Sequence, residues 1–532
     1  MKRIVFLVAL FIAFFHITTE AGLINTSDSG AVRHWDLTKW NPYVDPNVVN
    51  YNTRAIRYFL ASDAYSTTNT AAELKAVRNA FRKWASVSGT IVKFEDGGLA
   101  APGVDVNDSD RTNVVFWAKQ STLVNGGNDD ISGALGVTFY FYYVDDGVMY
   151  NCDIVFNGVE YDWITDPNNN NTRAYYVESV ALHEIGHMLG LGHSPCGGAT
   201  MFPRGVFGST LQSELTLDDV ITLRQIYPDS TLSSISGKIK GRVTSNGAPV
   251  FGAVVLLEND FGNVVYGGYT KTNGTYEFGY IPAGHYVLRV TPLDKSQNMS
   301  LLSGADVDYY TFAGAMTDFL PSSSDSVFIN PNSTTELNVA VNNVAPLFRI
   351  ARVIRPTTNS SWSAINAPVS VKPGQKNIKL GVIANNINSR DLALTVTGND
   401  IDLLATDLEK NIFGDSVYDL VMITVNVRAN ARPGLRSFCL SNSEGVAWAN
   451  GFIKIENVSR LSPPVFESNK VIINFPTDVG YSYQLWRCED LTEGKWNPVG
   501  PNLIAKDFNA SVQDTNILSK QNLFYRLTRN ND

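Results

Sequence analysis

Three of the six histidines in this 532-residue chain fall within eleven residues, His183-Glu184-Ile185-Gly186-His187-Met188-Leu189-Gly190-Leu191-Gly192-His193. No other segment constrains the local fold as tightly. On a helix, positions four apart share a face, so His183 and His187 project side by side and can grip one ion. His193 joins them only if the helix stops and the chain reverses. Gly190 stands where the reversal is needed, because a residue without Cβ enters the left-handed conformation readily. Glu184 lies off the ligand row, too short to share it yet near enough to take a proton from a water held at the ion. A closed structural zinc takes four protein ligands; three imidazoles leave one position open, which is the catalytic arrangement. H-E-x-x-H alone arises by chance on amphipathic helices. The glycine and the third histidine at their required offsets make the run a site for one zinc, with His183, His187 and His193 as metal ligands and Glu184 as the catalytic residue.

A chain of 532 residues is too long for one core and divides into three or four domains. A net charge of −9 with 17% charged residues offers no polyanion-binding surface, so nucleic acid is not an expected partner. Residues 1–21 read as an export signal: Met1-Lys2-Arg3, an apolar stretch over 4–15, and a small-residue site at Thr19-Glu20-Ala21. That stretch is too short to span a bilayer, and no later segment is long and apolar enough to do so. A secreted, extracellular protein is expected. Four cysteines are few for such a chain, so cores and not a disulfide framework must stabilise it. Cys152 and Cys196 flank the histidine run and either pair or remain separate thiols; Cys439 and Cys488 are expected unpaired and buried.

Residues 22–230 show short strand-like runs, at 56–60, 91–95, 114–118, 137–144 and 152–157, alternating with two helices. This predicts an α/β (α+β) domain with a mixed sheet. The first helix opens with a capping box, Thr70 with Glu73, and sets Leu74, Val77, Phe81 and Trp84 on one stripe against charged Lys75, Arg78, Arg82 and Lys83. The second follows the turn-forming run 166–171 and carries Tyr176, Val180, His183 and His187 along one side. From about Gly237 the pattern becomes short strands between Asn-Gly and Pro-Ala-Gly turns, with no convincing helix to the end. Three all-β sandwich modules are expected, over 236–344, 345–458 and 461–532.

The first of these contains Gly241-Arg242-Val243, Asn246-Gly247-Ala248-Pro249-Val250, Thr272-Asn273-Gly274-Thr275-Tyr276-Glu277-Phe278 and Ile281-Pro282-Ala283-Gly284-His285-Tyr286-Val287-Leu288. It resembles the carboxypeptidase regulatory-like family, which implies a non-catalytic transthyretin-type sandwich. Its serine-rich stretch at 322–326 reads as a loop before a last strand at 335–341. The second module, with alternating strands at 377–383 and 421–427 and a turn at Ala431-Arg432-Pro433-Gly434, looks immunoglobulin-like. The third, with Tyr481-Ser482-Tyr483-Gln484-Leu485-Trp486 and Phe524-Tyr525-Arg526-Leu527, resembles a fibronectin-like C-terminal repeat of exported bacterial proteins.

The segment from Val180 to Ser194, followed at the right spacing by Ala199-Thr200-Met201-Phe202-Pro203, resembles the matrixin family of metzincin zinc proteases. The resemblance implies that Met201 is the apolar floor of a Met-turn beneath the histidines. It also implies that the helix with Asp218 and Asp219, ending at Tyr227-Pro228, buttresses that turn. The strand with Gly133, Ala134, Leu135 and Gly136 would pair with extended substrate, and the residues from Pro203 to Glu214 would wall a pocket beyond the scissile bond. Pro203, in the place where astacins and serralysins carry a tyrosine, favours matrixin over those relatives. Animal members carry a second zinc with further histidines, but His34 is the only histidine between the expected leader and His183, so one zinc is expected. Calcium could use Asp108, Asp110, Asp129, Asp130, Asp145 and Asp146, which match no tight carboxylate motif. No cysteine-switch sequence is present, so propeptide latency of that kind is not expected. The resulting expectation is a secreted zinc endopeptidase acting on protein or peptide substrates, with β-modules that dock substrate or a surface polymer. The alternative is an adhesin-like protein whose β-modules carry the function.

Overall fold

The computed structural model describes residues 3–9 and 24–530, apart from 167–168, 170–172, 296–298, 356–367, 388–390, 410–416, 458–460, 462–463, 468, 478–481, 491–494, 507–508, 516 and 518–522. The expected cleavage site at Thr19-Glu20-Ala21 and most of the 166–171 turn lie outside the described residues.

The N-terminal sheet is mixed. Its strands are β1 (Arg3–Ala9), β2 (Val49–Asn50), β3 (Ala55–Ala61), β4 (Phe94–Ala100) and β5 (Val114–Ala118), then, after the two-residue strands β6 (Leu123–Val124) and β7 (Asp129–Asp130), β8 (Gly136–Tyr143) and β9 (Met149–Asn157). The order is β1-β8-β9-β5-β3-β2, with β4 also on β3. Strands β3, β4, β5 and β9 run parallel to one another, while β8 is antiparallel to both β9 and β1 and β2 is antiparallel to β3. The predicted run at 91–95 becomes a strand only from Phe94, because the Ile91 N–H donates to the Tyr227 carbonyl instead of to the sheet.

Helix α1 (Thr70–Ala85) buries its predicted stripe of Leu74, Val77, Phe81 and Trp84. Two details differ from the sequence reading. Asn69 holds the N-cap position; Thr70 Oγ1 donates to the Ser66 carbonyl and Glu73 accepts from the Ser66 N–H, so the pair closes the preceding loop and no capping box forms. Lys83, grouped with the charged face, is buried against Glu178 and the Ser213 carbonyl. After β10 (Asp162–Ile164) and β11 (Ala174–Tyr176), helix α2 (Val177–Met188) carries the first two histidines and is buried at all twelve positions. Its run of small and apolar residues suits burial on every side. Trp84 Nε1 donates to the Leu182 carbonyl at 2.8 Å, tying α1 to α2. Helix α3 (Leu217–Ile226) opens with a capping box between Thr216 and Asp219.

Beyond α3 the chain is β-rich. Strands β12 (Ser236–Ser245), β13 (Ala248–Pro249), β14 (Val254–Asn259), β15 (Val264–Tyr269), β16 (Thr275–Pro282) and β17 (Gly284–Thr291) form two sheets. Helix α4 (Gly304–Phe312) follows, in a region predicted to hold no helix. It starts at a capping box between Ser303 and Asp306, a signal the strand-rich surroundings obscured. The serine stretch is not wholly loop, since Ser322–Ser323 pairs with β17, and the last strand is split into Thr334–Glu336 and Val339–Val341, both parallel to β12. The next two sheets contain Tyr418–Val427 and Gly434–Asn442, and the pairing of Val264 with Leu435 joins the latter sheet to that of β14, β15 and β17. The final region contributes two three-stranded sheets around a small core of its own, including Val471, Phe475, Tyr483 and Leu485. A single apolar core runs from Cys196, Phe202 and Ile221 through both preceding β-regions. All four cysteines are unpaired: Cys152, Cys196 and Cys488 buried, Cys439 half-buried. Among the described residues no helix is long and apolar enough to cross a membrane.

Candidate metal centre

Helix α2 ends at Met188, and Gly190 takes φ +92° while its N–H donates to the His187 carbonyl. That left-handed step reverses the chain and returns His193 to the two helical histidines. The ligand nitrogens of His183, His187 and His193 all lie within 4.8 Å of one another. Among the described residues this is the only such gathering of three or more histidine, cysteine or acidic side chains.

Each imidazole is anchored through Nδ1 to a backbone carbonyl: His183 to Thr200 at 2.8 Å, His187 to Leu191 at 2.9 Å and His193 to Val307 at 3.0 Å. An N–H donated from Nδ1 leaves Nε2 as the bare, lone-pair-bearing atom of a neutral ring. The Nε2 atoms of His183 and His187 lie 3.1 Å apart, and that of His193 is buried without a hydrogen-bond partner. Acceptors crowded in this way repel each other unless a cation sits among them, so the residues fit a zinc ion. Burial holds all three imidazoles neutral: it brings His183 down to about 3, lowers His187 well below its ordinary value with help from both other rings, and lowers His193. Neutral imidazole is the form that binds metal.

Glu184 is almost wholly buried beside this cluster. Its Oε2 accepts the Thr138 hydroxyl at 2.7 Å, and the same hydroxyl lies 3.0 Å from the Glu184 carbonyl. Burial pushes the Glu184 carboxyl up to about 8, against the opposing hydrogen bond from Thr138. A cation at the imidazoles would favour its charged form. Gly136 of β8 lies so close that a Cβ there would stand 2.8 Å from Glu184 Oε1. Of the four residues expected to line substrate, Gly136 thus borders the site directly. Leu135 packs toward Gly205, Ala134 is buried, and Gly133 turns away, its N–H bonded to Glu160 and its carbonyl to the Tyr161 hydroxyl.

Met201 underlies the helix: a Cβ on Gly186 would come within 2.3 Å of its sulfur. Asp219 accepts the N–H groups of Thr200 and Met201, and Asp218 accepts the Gly267 N–H from β15 and the Cys196 thiol. The two acids thus divide the work expected of them jointly, Asp219 holding the turn and Asp218 the next module. Cys196 is committed to Asp218 and does not bond Cys152. The acidic loop positions proposed for calcium form no group of three, and Asp110, Asp130 and Asp146 each accept a nearby backbone N–H. Two contributors escaped the sequence reading. Thr138 was legible only as part of a strand, and Val307, 114 residues beyond His193, gave no signal as a partner for it.

The matrixin family model matches residues 50–228, and that of the carboxypeptidase regulatory-like domain matches residues 238–342. Metalloendoproteinase 4-MMP of Arabidopsis thaliana is 29% identical over 165 residues, covering 30% of this chain and 42% of that protein. Metalloendoproteinase 1-MMP of the same plant is 29% identical over 180 residues, 33% of this chain and 44% of its own length. Neutrophil collagenase of Homo sapiens is 29% identical over 153 residues, 29% and 28% of the respective chains. The chain spans less than half the length of each of these curated relatives. The similarity lies where the three histidines, the Met-turn and the α3 capping box have just been located, and the chain accordingly carries a matrixin domain over residues 50–228 followed by a carboxypeptidase regulatory-like domain over residues 238–342.

Proposed function

We propose that the chain is an exported zinc endopeptidase that hydrolyses peptide bonds of extracellular proteins. The observation that carries this reading is the convergence of three Nδ1-anchored histidines on one point beside the Glu184 carboxyl. Bound there, zinc supplies Lewis-acid polarisation of the scissile carbonyl and acidifies a water. Glu184 accepts the proton of the attacking water and returns it to the leaving amine, and Thr138 holds its carboxylate in place for both transfers. Substrate lies extended along the rim formed by Gly133, Ala134, Leu135 and Gly136. β1, part of the expected leader, lies antiparallel along the Val137–Tyr143 portion of β8, so removal of the leader would open that edge to such pairing. The β-rich remainder, read as three sandwich modules, docks substrate or a surface polymer.

The test combines metal analysis with proteolysis. Wild type should hold one zinc per chain and cleave protein substrates. A zinc chelator should abolish cleavage, and Glu184→Ala should lower it by at least ~100-fold while zinc content is retained. Equal inertness of wild type and Glu184→Ala on a broad peptide library would defeat the enzyme reading and favour an adhesin-like role.

A further inference from the structure

The first two imidazoles are oriented by their own domain, through the carbonyls of Thr200 and Leu191. The third is not. His193 follows the Gly190 reversal and has no helix to fix its ring, and its Nδ1 partner is the carbonyl of Val307, in α4 of the regulatory-like module. Its backbone carbonyl is held from the same module by the Tyr269 hydroxyl at 3.3 Å.

Helix α4 is shaped to provide that carbonyl. In an unbroken α-helix the Val307 carbonyl would accept the N–H of Thr311. Asp308 instead has φ −166° and ψ 111°, and its side chain takes the Thr311 N–H at 3.0 Å. The break frees the Val307 carbonyl for the imidazole. The start of α4 is clamped to the matrixin domain: Asp306, which caps the helix with Ser303, also accepts both Nη2 contacts of Arg204, at 2.8 and 2.9 Å, and Arg204 Nη1 donates to the Ser300 carbonyl at 2.9 Å. Arg204 immediately follows the Met-turn sequence.

We infer that the regulatory-like module completes the metal centre, with the Val307 carbonyl as the positioning group of the third ligand and Arg204 and Asp308 as the residues that hold it there. This rests on the reading of the three histidines as zinc ligands. It makes zinc affinity depend on the docking of a domain that supplies no ligand, because a partner that orients a ligand imidazole is worth roughly 10–100-fold in metal affinity.

The experiment measures zinc dissociation constants of full-length variants by competition with a chromophoric chelator, alongside melting of the metal-free proteins to show that each folds. Arg204→Ala and Asp308→Ala should weaken zinc by about tenfold or more, and Arg204→Lys, which keeps a cation opposite Asp306, should fall between Arg204→Ala and wild type. Gln225→Ala is the control. It loosens the same domain interface at Tyr266 and Gly279, away from α4, and should leave the affinity at the wild-type value. Wild-type affinity in both Arg204→Ala and Asp308→Ala, or equal weakening by Gln225→Ala, overturns the inference while the zinc site stands. Failure of wild type to bind zinc overturns the metal reading and this inference with it.

Discussion

Asp219 holds Met201 beneath helix α2 through a hydrogen bond from the Met201 N–H to Oδ1 at 3.0 Å, while its Oδ2 accepts the Thr200 N–H and caps α3 at Thr216. One fully buried carboxylate thus fixes both the Met-turn and the start of the helix behind it. Asp219→Ala would strand buried backbone donors and remove a cap, a combined cost of about 3 kcal/mol or more. Asp219→Asn, which retains one acceptor oxygen, should lose less. Thermal melts of the metal-free proteins check the order; an unchanged melting temperature in Asp219→Ala would mean that the turn holds itself.

With Glu184 as the proposed base, Thr138 would bear on catalysis through one hydroxyl. Its bond to Glu184 is charge-assisted once the carboxylate ionises, and such bonds are worth about 1.5–3 kcal/mol. Thr138→Val keeps the shape of this buried strand position and removes the donor. The expected result is a kcat lowered roughly 10- to 100-fold with KM little altered, since the bond orients the base and does not touch substrate. Thr138→Ser should recover most of the rate. A KM effect with unchanged kcat would place Thr138 in substrate binding instead.

The gathering of the three histidines was legible because it is written at fixed spacing: a helix fixes His183 against His187, and Gly190 fixes the return of His193. The same holds for the α1 stripe, where helical periodicity decides burial, while β8 and β9 are continuous strand runs buried on both faces. What stayed hidden depends on distant surfaces meeting. Lys83 shares its sequence neighbourhood with the charged face of α1, and only the arrival of Glu178 and the Ser213 carbonyl makes its burial tolerable. Val307 is an unremarkable valine until α4 breaks at Asp308 and presents its carbonyl to His193. Cys152 and Cys196 had a plausible sequence relationship, yet one lies within β9 and the other bonds Asp218.

The Lys83–Glu178 pair joins α1 to α2 in a dry setting, with side chains 3% and 8% exposed. Charges so far from water are strongly destabilising when orphaned, whereas replacing both by apolar groups is often close to neutral. Lys83→Met should therefore cost about 3–5 kcal/mol. The double variant Lys83→Met/Glu178→Leu should recover most of that loss, and a double-mutant cycle of unfolding free energies measures the coupling. Additive losses would show that the two side chains act independently.

Asp218 gives stability a pH dependence of a definite sign. Burial, reinforced by the neighbouring Asp219 charge, raises its carboxyl well above the ordinary 3.8, although the Gly267 N–H and the Cys196 thiol donate to it. A raised folded value means that the native state binds more protons than the unfolded chain between the two values, so stability falls as pH rises through that window. The native advantage is complete below 3.8, declines toward neutrality, and is gone once the folded carboxyl ionises. Asp218→Asn keeps an acceptor for Gly267 and removes the titration. Relative to this variant, wild type should lose melting temperature progressively from acid toward neutral pH and then level off. Other buried carboxyls, such as Asp153 and Asp294, are also raised, so the difference between the two curves isolates Asp218. Parallel curves across the whole range would show that Asp218 carries the same charge in the folded and unfolded states and that the join between α3 and β15 is insensitive to pH.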